Sequence, residues 1–284
     1  MPSRGRLELT FTNKMNFKWI YAVIAAMLWG ASFPLIKLGL KSTSPLLFAF
    51  LRYFLASIFF ILIAHEVQLK KDFVLLGLVG VAIPVILQNI ALQFTPAYIS
   101  GFLQSTGPIY VLIFATLFLK EKFTWNKFAG IMIAFLGTYF LISGYKSTNL
   151  VADLLILLSA FFYSMGSIMA KKLLNNGYKA MNVIASSTVF ATLFLFPSIP
   201  FEKICFNIAS IEYAFVLALL PTFFAYILWY NAMEKMEISR LSCFIYLIPF
   251  FSMIFSSIFL HEALEAIKIF YGIVIITGIA IAEA

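Results

Sequence analysis

The chain has 284 residues, of which 63% are hydrophobic and only 11% are charged, and its mean hydropathy is +1.00. Soluble domains are about 45–50% apolar and about 25% charged, so this composition excludes a soluble globular protein and predicts an integral membrane protein. The formal net charge of +8 would suggest a nucleic-acid partner in a soluble protein, but in a membrane protein the distribution of the basic residues is the informative quantity.

Ten apolar segments follow one another along the chain. A transmembrane helix needs about 20 mainly apolar residues, and each segment comes close to that length. In chain order, we predict helices at 18–40, 45–65, 73–93, 97–119, 127–143, 150–170, 180–199, 211–233, 238–260 and 267–283. Because these spans leave almost no residues for a soluble domain, the sequence predicts an all-α integral membrane protein with ten transmembrane helices.

The second half of the chain repeats the first. A shift of 141 positions aligns Pro108 with Pro249 and Glu121 with Glu262 without a gap. A shift of 134 positions places the segment AMLWGASFPLIK on the segment AFFYSMGSIMAK. Such self-similarity indicates an internal duplication.

The two predicted repeats, 18–144 and 150–284, contain five helices each. Because five is an odd number, the second repeat enters the membrane from the opposite side, and the two repeats are inverted. Inverted repeats are typical of secondary transporters, in which the binding site lies near the midplane between the halves and alternates its exposure. The pattern therefore predicts a carrier.

Basic residues are distributed unequally between the two sides of the predicted bundle. Fourteen of the twenty lie on the side of the N-terminus, and six lie on the other side or at its adjoining helix ends. By the positive-inside rule we expect a multi-pass protein of the cell membrane with both termini in the cytoplasm and residues 1–17 as a cytoplasmic tail. Natural translation begins at Met1 or at Met15.

Four segments carry a resemblance to a known family. They are LWGASFPLIK in the first helix, LRYFLA in the second, NIALQFTPAYISGFLQSTGPIYVLIFATLFLKEKFTWNKFAGIMIAFLG through the fourth and fifth, and WYNAMEKMEISRLSCFIYLIPFFSMIFSSIFLHEALEAIKIFYGIVIITG at the end of the second repeat. With the rest of the chain after residue 18, they resemble the drug/metabolite transporter superfamily, EamA type. The resemblance implies a ten-helix bundle in which the first four helices of each half surround a central cavity and the fifth is peripheral. It also implies the transport of small metabolites, often the export of amino acids, without a bound cofactor.

The first helix of each repeat offers candidate cavity residues. Trp29 and Ser32 lie one turn apart on one helix face, and the second repeat offers Tyr163 and Ser167 at the matching place. An aromatic ring from each half with a small hydroxyl one turn away suits a small amphipathic solute. The alternative is that the rings only pack against a neighbouring helix.

Two further candidates come from the second and fourth helices. Arg52 lies deep in the second helix, and a charge at a helix centre costs about 2.5–3.5 kcal/mol, so it should face a wet cavity, a partner or, by snorkelling, the headgroups. Its repeat mate is Ser186, so the fold itself does not demand the charge. Pro108 has no N–H group, so the carbonyl of Gln104, four residues earlier, loses its helical donor. This carbonyl either forms part of the substrate path or only marks a kink in the helix.

Several other polar residues are assigned structural roles. We expect the carboxylates of Glu121 and Glu262 to accept hydrogen bonds from N–H groups of the turn that follows each of them, or to pair with a neighbouring lysine. Lys37, near the end of its helix, is expected to snorkel to the headgroups. A second pair of matched polar and aromatic segments, nearer the helix ends, carries less weight as a cavity lining: Gln88, Asn89, Gln93, Trp229, Tyr230 and Asn231.

Residue types that are missing narrow the function. The centre of the first helix is Trp-Gly-Ala-Ser, without the carboxylate that the small multidrug cation antiporters of the same superfamily carry there, so a lipophilic cation exchanged for protons is disfavoured. An enzyme is not expected, because His65 and His261 lie at opposite faces of the predicted bundle and neither an HExxH motif nor paired embedded acids occur.

Together these features predict a secondary transporter of small polar metabolites, an exporter of amino acids or related compounds that works by alternating access. The alternatives are a nucleotide-sugar or organophosphate exchanger and a non-transporting membrane scaffold. Expected partners are the lipid bilayer and a small-molecule substrate, with no nucleic acid, no cofactor and no metal, in a monomer or a homodimer. The predicted substrate-binding residues are Trp29, Ser32, Arg52, Gln104, Tyr163 and Ser167.

Overall fold

The computed structural model describes residues 18–64, 66–142, 149–201, 205, 207–260 and 266–284. Predictions for the tail 1–17, for Glu262 and for the two histidines lie outside these residues.

All regular structure in the described residues is helical. The ten helices are α1 (Lys18–Gly39), α2 (Pro45–Ile63), α3 (Lys71–Leu92), α4 (Ala97–Phe118), α5 (Trp125–Leu141), α6 (Leu150–Asn175), α7 (Ala180–Phe201), α8 (Ala209–Lys235), α9 (Ile238–Phe259) and α10 (Ala266–Glu283). By length and composition, eight of them are long and apolar enough to cross a membrane, and the other two, α5 and α10, have 17 and 18 residues. The predicted all-α membrane fold with ten helices is confirmed.

Matched irregularities mark the two halves as copies of one unit. In the first half α3 contains a π-helical segment, Leu78–Ala82, and in the second half α8 contains another, Ala218–Phe224. Helix α4 is interrupted between Gln104 and Gly107, and α9 has a 3-10 segment, Cys243–Tyr246, at the equivalent place. Because the breaks fall at corresponding positions, they follow from the duplicated sequence.

Packing between the helices follows the same symmetry. Helix α1 packs on α9 as α6 packs on α4, and α3 packs on α6 as α8 packs on α1. The two remaining pairs, α2 with α7 and α5 with α10, join equivalent helices directly. The chain therefore forms two inverted five-helix repeats, as predicted, and the two repeats are interleaved. The face of the bundle at which α1 begins and α10 ends is here called the Lys18 face.

Small residues bring α5 and α10 into close contact. A Cβ atom added to Gly130 would lie 2.5 Å from the backbone nitrogen of Ala282, and one added to Gly278 would lie 2.5 Å from that of Ala134. Glycine is required at both places, because any side chain would collide with backbone. The small residues of α5 thus serve contacts within one chain, and the oligomeric state stays a prediction.

Two lysines at equivalent positions bind backbone carbonyls. Nζ of Lys37 donates to the carbonyl of Thr95 at 3.0 Å, and Nζ of Lys171 donates to those of Met236 at 2.9 Å and Met233 at 2.6 Å. The acceptors lie in the last turn of α8 or just beyond the C-terminal ends of α3 and α8, where a positive charge is favoured by the helix dipole. The predicted snorkelling of Lys37 is therefore wrong, because its ammonium group is held by the end of a neighbouring helix.

At the Lys18 face, Glu121 connects the two halves. Its carboxylate accepts hydrogen bonds from the backbone N–H groups of Ile238 at 2.7 Å and Ser239 at 3.1 Å, and from the hydroxyl of Ser239. The first turn of a helix has no internal acceptors for its N–H groups, so this carboxylate caps α9. We expected the turn that follows Glu121 to be the hydrogen-bonding partner of its carboxylate. That prediction is wrong, because the packing of the two halves brings the N-terminus of α9 closer to the carboxylate.

A salt bridge lies beside this cap. Nζ of Lys127, which is almost completely buried, is 2.8 Å from the carboxylate of Glu237 and also donates to the carbonyl of Lys122 at 2.8 Å. Burial raises the pKa of Glu237, but the hydrogen bond and the charge of Lys127, together with the charge of Arg240, outweigh burial and hold that pKa below its usual value. Polar contacts between the halves thus close the bundle at this face.

Candidate functional site

A cavity lies at the centre of the bundle, between the two halves. It is called the central cavity here, and it lies among Trp29, Arg52, Gln104, Tyr163 and Trp229. Side chains of α1 to α4 line it from the first half, and side chains of α6, α8 and α9 line it from the second. The volume open to the centres of water-sized spheres is about 140 Å³. One water needs about 10–15 Å³ on this measure, so the cavity suits a solute of roughly ten non-hydrogen atoms.

Helix α7 departs from the arrangement that the family resemblance implies. Among the described residues, α5, α7 and α10 contribute no lining side chain. The peripheral place of α5 and α10 agrees with expectation. Helix α7 instead packs behind α2 and α3. The two halves therefore contribute unequally to the cavity wall.

All six residues predicted as substrate-binding from the sequence lie on the wall of the central cavity. They come from four helices, α1, α2 and α4 of the first half and α6 of the second, and the structure brings them together around one space. Their contact with a substrate stays a prediction. The six residues are Trp29, Ser32, Arg52, Gln104, Tyr163 and Ser167.

An aromatic wall crosses the boundary between the halves. The ring of Trp29 lies 4.8 Å from that of Trp229 and 6.1 Å, edge-on, from that of Tyr226, measured between ring centroids. The indole N–H of Trp29 donates to the carbonyl of Pro221 in the π-helical segment of α8 at 2.9 Å. A buried indole needs such a partner, and this one fixes the orientation of the ring.

The two predicted hydroxyls bond to their own helices. Ser32 donates to the carbonyl of Trp29 at 2.6 Å, and Ser167 donates to that of Tyr163 at 3.0 Å. Each hydroxyl hydrogen is thereby occupied, while the oxygen keeps lone pairs that can accept. At the cavity wall these two residues act as small acceptors.

Arg52 holds the only positive charge among the described residues that line the cavity. Its side chain is 6% exposed, and its Nε donates to the hydroxyl of Thr222 at 2.7 Å. The described residues place no carboxylate within 4.0 Å of the guanidinium group and no hydrogen-bond acceptor on its two terminal nitrogens. Neither snorkelling nor an ion pair therefore accounts for this arginine, which is held deep in the bundle beside the cavity.

Tyr53, the residue after Arg52, links the arginine to the second half. Its ring lies 5.4 Å from the central guanidinium carbon, a cation–π contact, and its hydroxyl lies 3.0 Å from that of Tyr226. Tyr163 and Tyr226 line the same cavity. The positively charged end of the cavity is therefore built by both halves.

Two glutamines bring amide groups to the cavity. Oε1 of Gln104 is buried and has no hydrogen-bond partner in the described part of the chain. A buried acceptor without a partner is unfavourable in an apolar interior, so it suggests a ligand or water at this position. Gln88, which the sequence reasoning weighted lightly, also lies on the wall.

The second group of polar candidates divides into two. Trp229 and Tyr230 line the cavity together with Gln88. They were given less weight as lining residues because they lie nearer the helix ends. Asn89 and Asn231 instead bond to carbonyls four residues earlier in their own helices, and Gln93 is exposed. Helix α8 has 27 residues, and its lining residues lie in its C-terminal half.

One feature of the wall was missed altogether. A Cβ atom added to Gly166 would lie 2.4 Å from the Cα of Gly80, so the backbones of α3 and α6 touch beside the cavity. The signal in the sequence is a glycine four residues before Pro84, at the place where a proline removes a helical hydrogen bond.

A sequence model described as the EamA-like transporter family matches residues 16–143 and again residues 150–283. The chain belongs to the EamA-like transporter family. Its two matches correspond to the two halves of the fold, and both lie in a multi-pass membrane protein. Membership identifies the chain as a transporter of the drug/metabolite superfamily and not as an enzyme, and it leaves the scaffold alternative without support.

Relatives within the EamA-like family agree with this assignment. An uncharacterized transporter from Archaeoglobus fulgidus is 30% identical over 87% of this chain and 91% of its own length. A second from the same organism is 26% identical over 95% of this chain and 99% of its own. A "probable terminal-alkyne amino-acid exporter" from Streptantibioticus cattleyicolor is 22% identical over 90% of each chain.

A solved crystal structure has the same fold as this EamA-like chain. It matches with a TM-score of 0.79 and 17% sequence identity, over 93% of this chain and 96% of its own. At that identity the likeness shows the fold alone.

Proposed function

We propose that this EamA-family transporter exports amino acids or related zwitterionic compounds by alternating access through the central cavity. The observation that carries the proposal is Arg52, a buried guanidinium group on the cavity wall whose terminal nitrogens have no acceptor among the described residues. A buried charge is unfavourable unless it is paired and its donors are hydrogen-bonded, and Arg52 has only the hydroxyl of Thr222 and, at 5.4 Å, the ring of Tyr53. A ligand with a carboxylate would supply the missing partner.

The shape of the arginine suits a carboxylate. A guanidinium group is planar, and its parallel N–H groups match the two oxygens of a carboxylate in a bidentate contact. Nε of Arg52 is already bonded to Thr222, so the donors that remain are those of the terminal nitrogens. One carboxylate is enough to use them.

The rest of the cavity suits the other parts of an amino acid. Oε1 of Gln104 and the hydroxyl oxygens of Ser32 and Ser167 are acceptors for an ammonium group. Trp29 and Trp229 offer an aromatic surface for an apolar side chain or, through their ring faces, for the ammonium group itself. Zwitterions therefore find a positive group, neutral acceptors and an apolar wall in one space.

Charge counts against the organophosphate alternative. A phosphate monoester brings about two negative charges at neutral pH, and in the described part of the chain Arg52 is the only cationic residue in the lining. The relative named as a probable amino-acid exporter adds limited support to an amino-acid substrate, since it is only 22% identical.

Efflux from liposomes tests the substrate and the role of Arg52 together. Purified protein is reconstituted into liposomes loaded with an equimolar pool of the amino acids, and the released compounds are followed by mass spectrometry, with amino acids also supplied outside to detect exchange. Wild-type protein is expected to release particular amino acids and Arg52→Ala to lose that release. Lys41→Ala, which removes an exposed positive charge away from the cavity, is the matched control.

Folded, inserted protein that moves no amino acid in either direction would refute the amino-acid proposal. A pool of sugar phosphates and nucleotide sugars would then be tested in the same liposomes. Release that continues unchanged in Arg52→Ala would separate the two claims, because it would keep the substrate class and reject the role of the arginine.

We also propose that the Lys18 face is cytoplasmic, on the strength of the fourteen basic residues on that side against six on the other. Cys205 is exposed on the opposite side and Cys243 is buried, so the native chain carries its own probe. A membrane-impermeant maleimide is expected to label intact cells at Cys205 and not to label Cys205→Ser. Labelling of Cys205 only after the cells are permeabilised would reverse the orientation.

A further inference from the structure

Thr222 stands directly behind the arginine. It is fully buried in the π-helical segment of α8 and does not itself line the central cavity. Its hydroxyl accepts the hydrogen bond from Nε of Arg52 at 2.7 Å and donates to the carbonyl of Leu217 at 2.8 Å. One hydroxyl thus joins a side chain of the first half to the backbone of the second.

The hydroxyl hydrogen of Thr222 is already in use. Around Pro221 helix α8 is π-helical, and this pattern directs the carbonyl of Leu217 at residue 222, five positions further on. The hydroxyl of Thr222 donates to that carbonyl. Because the single hydrogen is committed to Leu217, the oxygen can only accept, and an acceptor is what Nε of Arg52 requires.

The geometry points to Thr222 as the positioning residue that orients the guanidinium group of Arg52 for an anionic group, a carboxylate, in the central cavity. A bond at Nε fixes the plane of the guanidinium group and leaves the terminal nitrogens available together. Without this bond the long side chain regains rotamers that point the fork elsewhere. The inference rests on the proposed function for its ligand and goes beyond it in naming the residue that orients the site.

The other half has no equivalent device. The repeat mate of Arg52 is Ser186, whose hydroxyl donates to the carbonyl of Asn182 in its own helix at 2.6 Å. The carbonyl of Pro84 in α3 accepts a hydrogen bond from Ser159 at 2.9 Å, without a charged group. The described part of the bundle therefore has one oriented positive group at the cavity, which suits a ligand with one carboxylate.

Two substitutions separate the hydroxyl from the shape of the side chain. Thr222→Val keeps the volume and removes both hydrogen bonds, whereas Thr222→Ser keeps the hydroxyl. The chain has four arginines, at positions 4, 6, 52 and 240. With arginine labelled by ¹⁵N, the Nε–H signal of Arg52 is identified by its absence in Arg52→Lys.

The first measurement is the exchange of the Arg52 Nε–H with water. We expect slow exchange in the wild type and in Thr222→Ser, and exchange at least about tenfold faster in Thr222→Val, because a hydrogen bond to a charged group is worth at least that factor. Unchanged exchange in Thr222→Val would overturn the inference. If the valine variant does not fold, Thr222→Cys takes its place, since its sulfur is only a weak acceptor.

The second measurement titrates the same signal with sodium acetate, a carboxylate probe, against acetamide and against sodium chloride at equal ionic strength. Acetate is expected to shift the signal in the wild type and in Thr222→Ser, and to need about tenfold more probe in Thr222→Val. Equal response of all three proteins to acetate, or an equal response to acetamide, would make Thr222 a structural residue only and would overturn the inference. Neither measurement uses transport, so a failure of the amino-acid proposal is seen separately.

Discussion

Glu121→Ala tests whether the two halves are held together at the Lys18 face by one carboxylate. Three hydrogen bonds end on that group, two from the backbone of α9 and one from the hydroxyl of Ser239. A hydrogen bond to a charged group contributes about 1.5–3 kcal/mol. The three bonds end on one carboxylate and their energies do not simply add, so we expect a loss of about 3 kcal/mol in total. The loss of a helix cap alone is about 0.5–2 kcal/mol.

Thermal unfolding in detergent, followed by tryptophan fluorescence, measures this loss. At about 2–4 °C per kcal/mol, Glu121→Ala should lower the melting temperature by roughly 6–12 °C. Glu121→Gln keeps one acceptor oxygen without the charge and should fall in between. Lys122→Ala, an exposed neighbour, is the control and should stay close to the wild type. A melting temperature of Glu121→Ala equal to that of the control would refute the capping of α9 by this carboxylate.

Three further predictions concern packing, pH and the cavity wall. Gly278→Val should lower stability by about 3 kcal/mol or more, because its Cβ would lie 2.5 Å from the backbone nitrogen of Ala134. The loss is measured as a fall in the melting temperature, and an unchanged melting temperature would contradict the close contact of α5 and α10. Glu237→Gln should lower the melting temperature at pH 7. Because Lys127 lowers the folded pKa of this carboxylate, the difference from the wild type should shrink once the pH falls below the ordinary value of 4.5 and vanish below the lowered folded pKa. A difference that persists below that pH would exclude the salt bridge as its cause. Trp29→Phe keeps the aromatic ring and loses the indole bond to α8, so we expect a loss of about 1 kcal/mol, and an unchanged melt would show that this bond contributes nothing.

Much of the cavity was predictable because helical geometry and duplication constrain it. Once the first helix of each repeat was aligned, the 3.6-residue period placed Trp29 and Tyr163 at equivalent positions. The position of Arg52 at the cavity was predictable for a different reason. A charge inside a membrane is too unfavourable unless water or a polar group lies beside it. These inferences need only the local sequence and the environment.

Contacts between the halves were not predictable in this way. Glu121 binds residues 117 and 118 positions further on, and Thr222 bonds to an arginine 170 positions away. Which helix end arrives beside Glu121 depends on how the two repeats interleave, and that depends on the sum of many apolar contacts. The turn that follows Glu121 in the sequence was the nearest candidate, but it was the wrong one.

The place of α7 shows the same limit. Symmetry predicts that α2 and α7 line the cavity alike, yet α2 contributes Arg52 and α7 contributes no lining side chain in the described residues. The equivalent residue of α7 is the small Ser186, whose hydroxyl is satisfied within its own helix and which is fully buried. A long charged side chain reaches the cavity from that depth, and a serine does not.

A structure of the protein with a transported amino acid bound would show directly whether Arg52 binds the carboxylate. We expect the amino acid in the central cavity, with its carboxylate at about 2.7–2.9 Å from the terminal nitrogens of Arg52, the distance of a charge-assisted hydrogen bond. An amino acid bound elsewhere, or bound in the cavity with its carboxylate turned away from Arg52, would contradict this prediction.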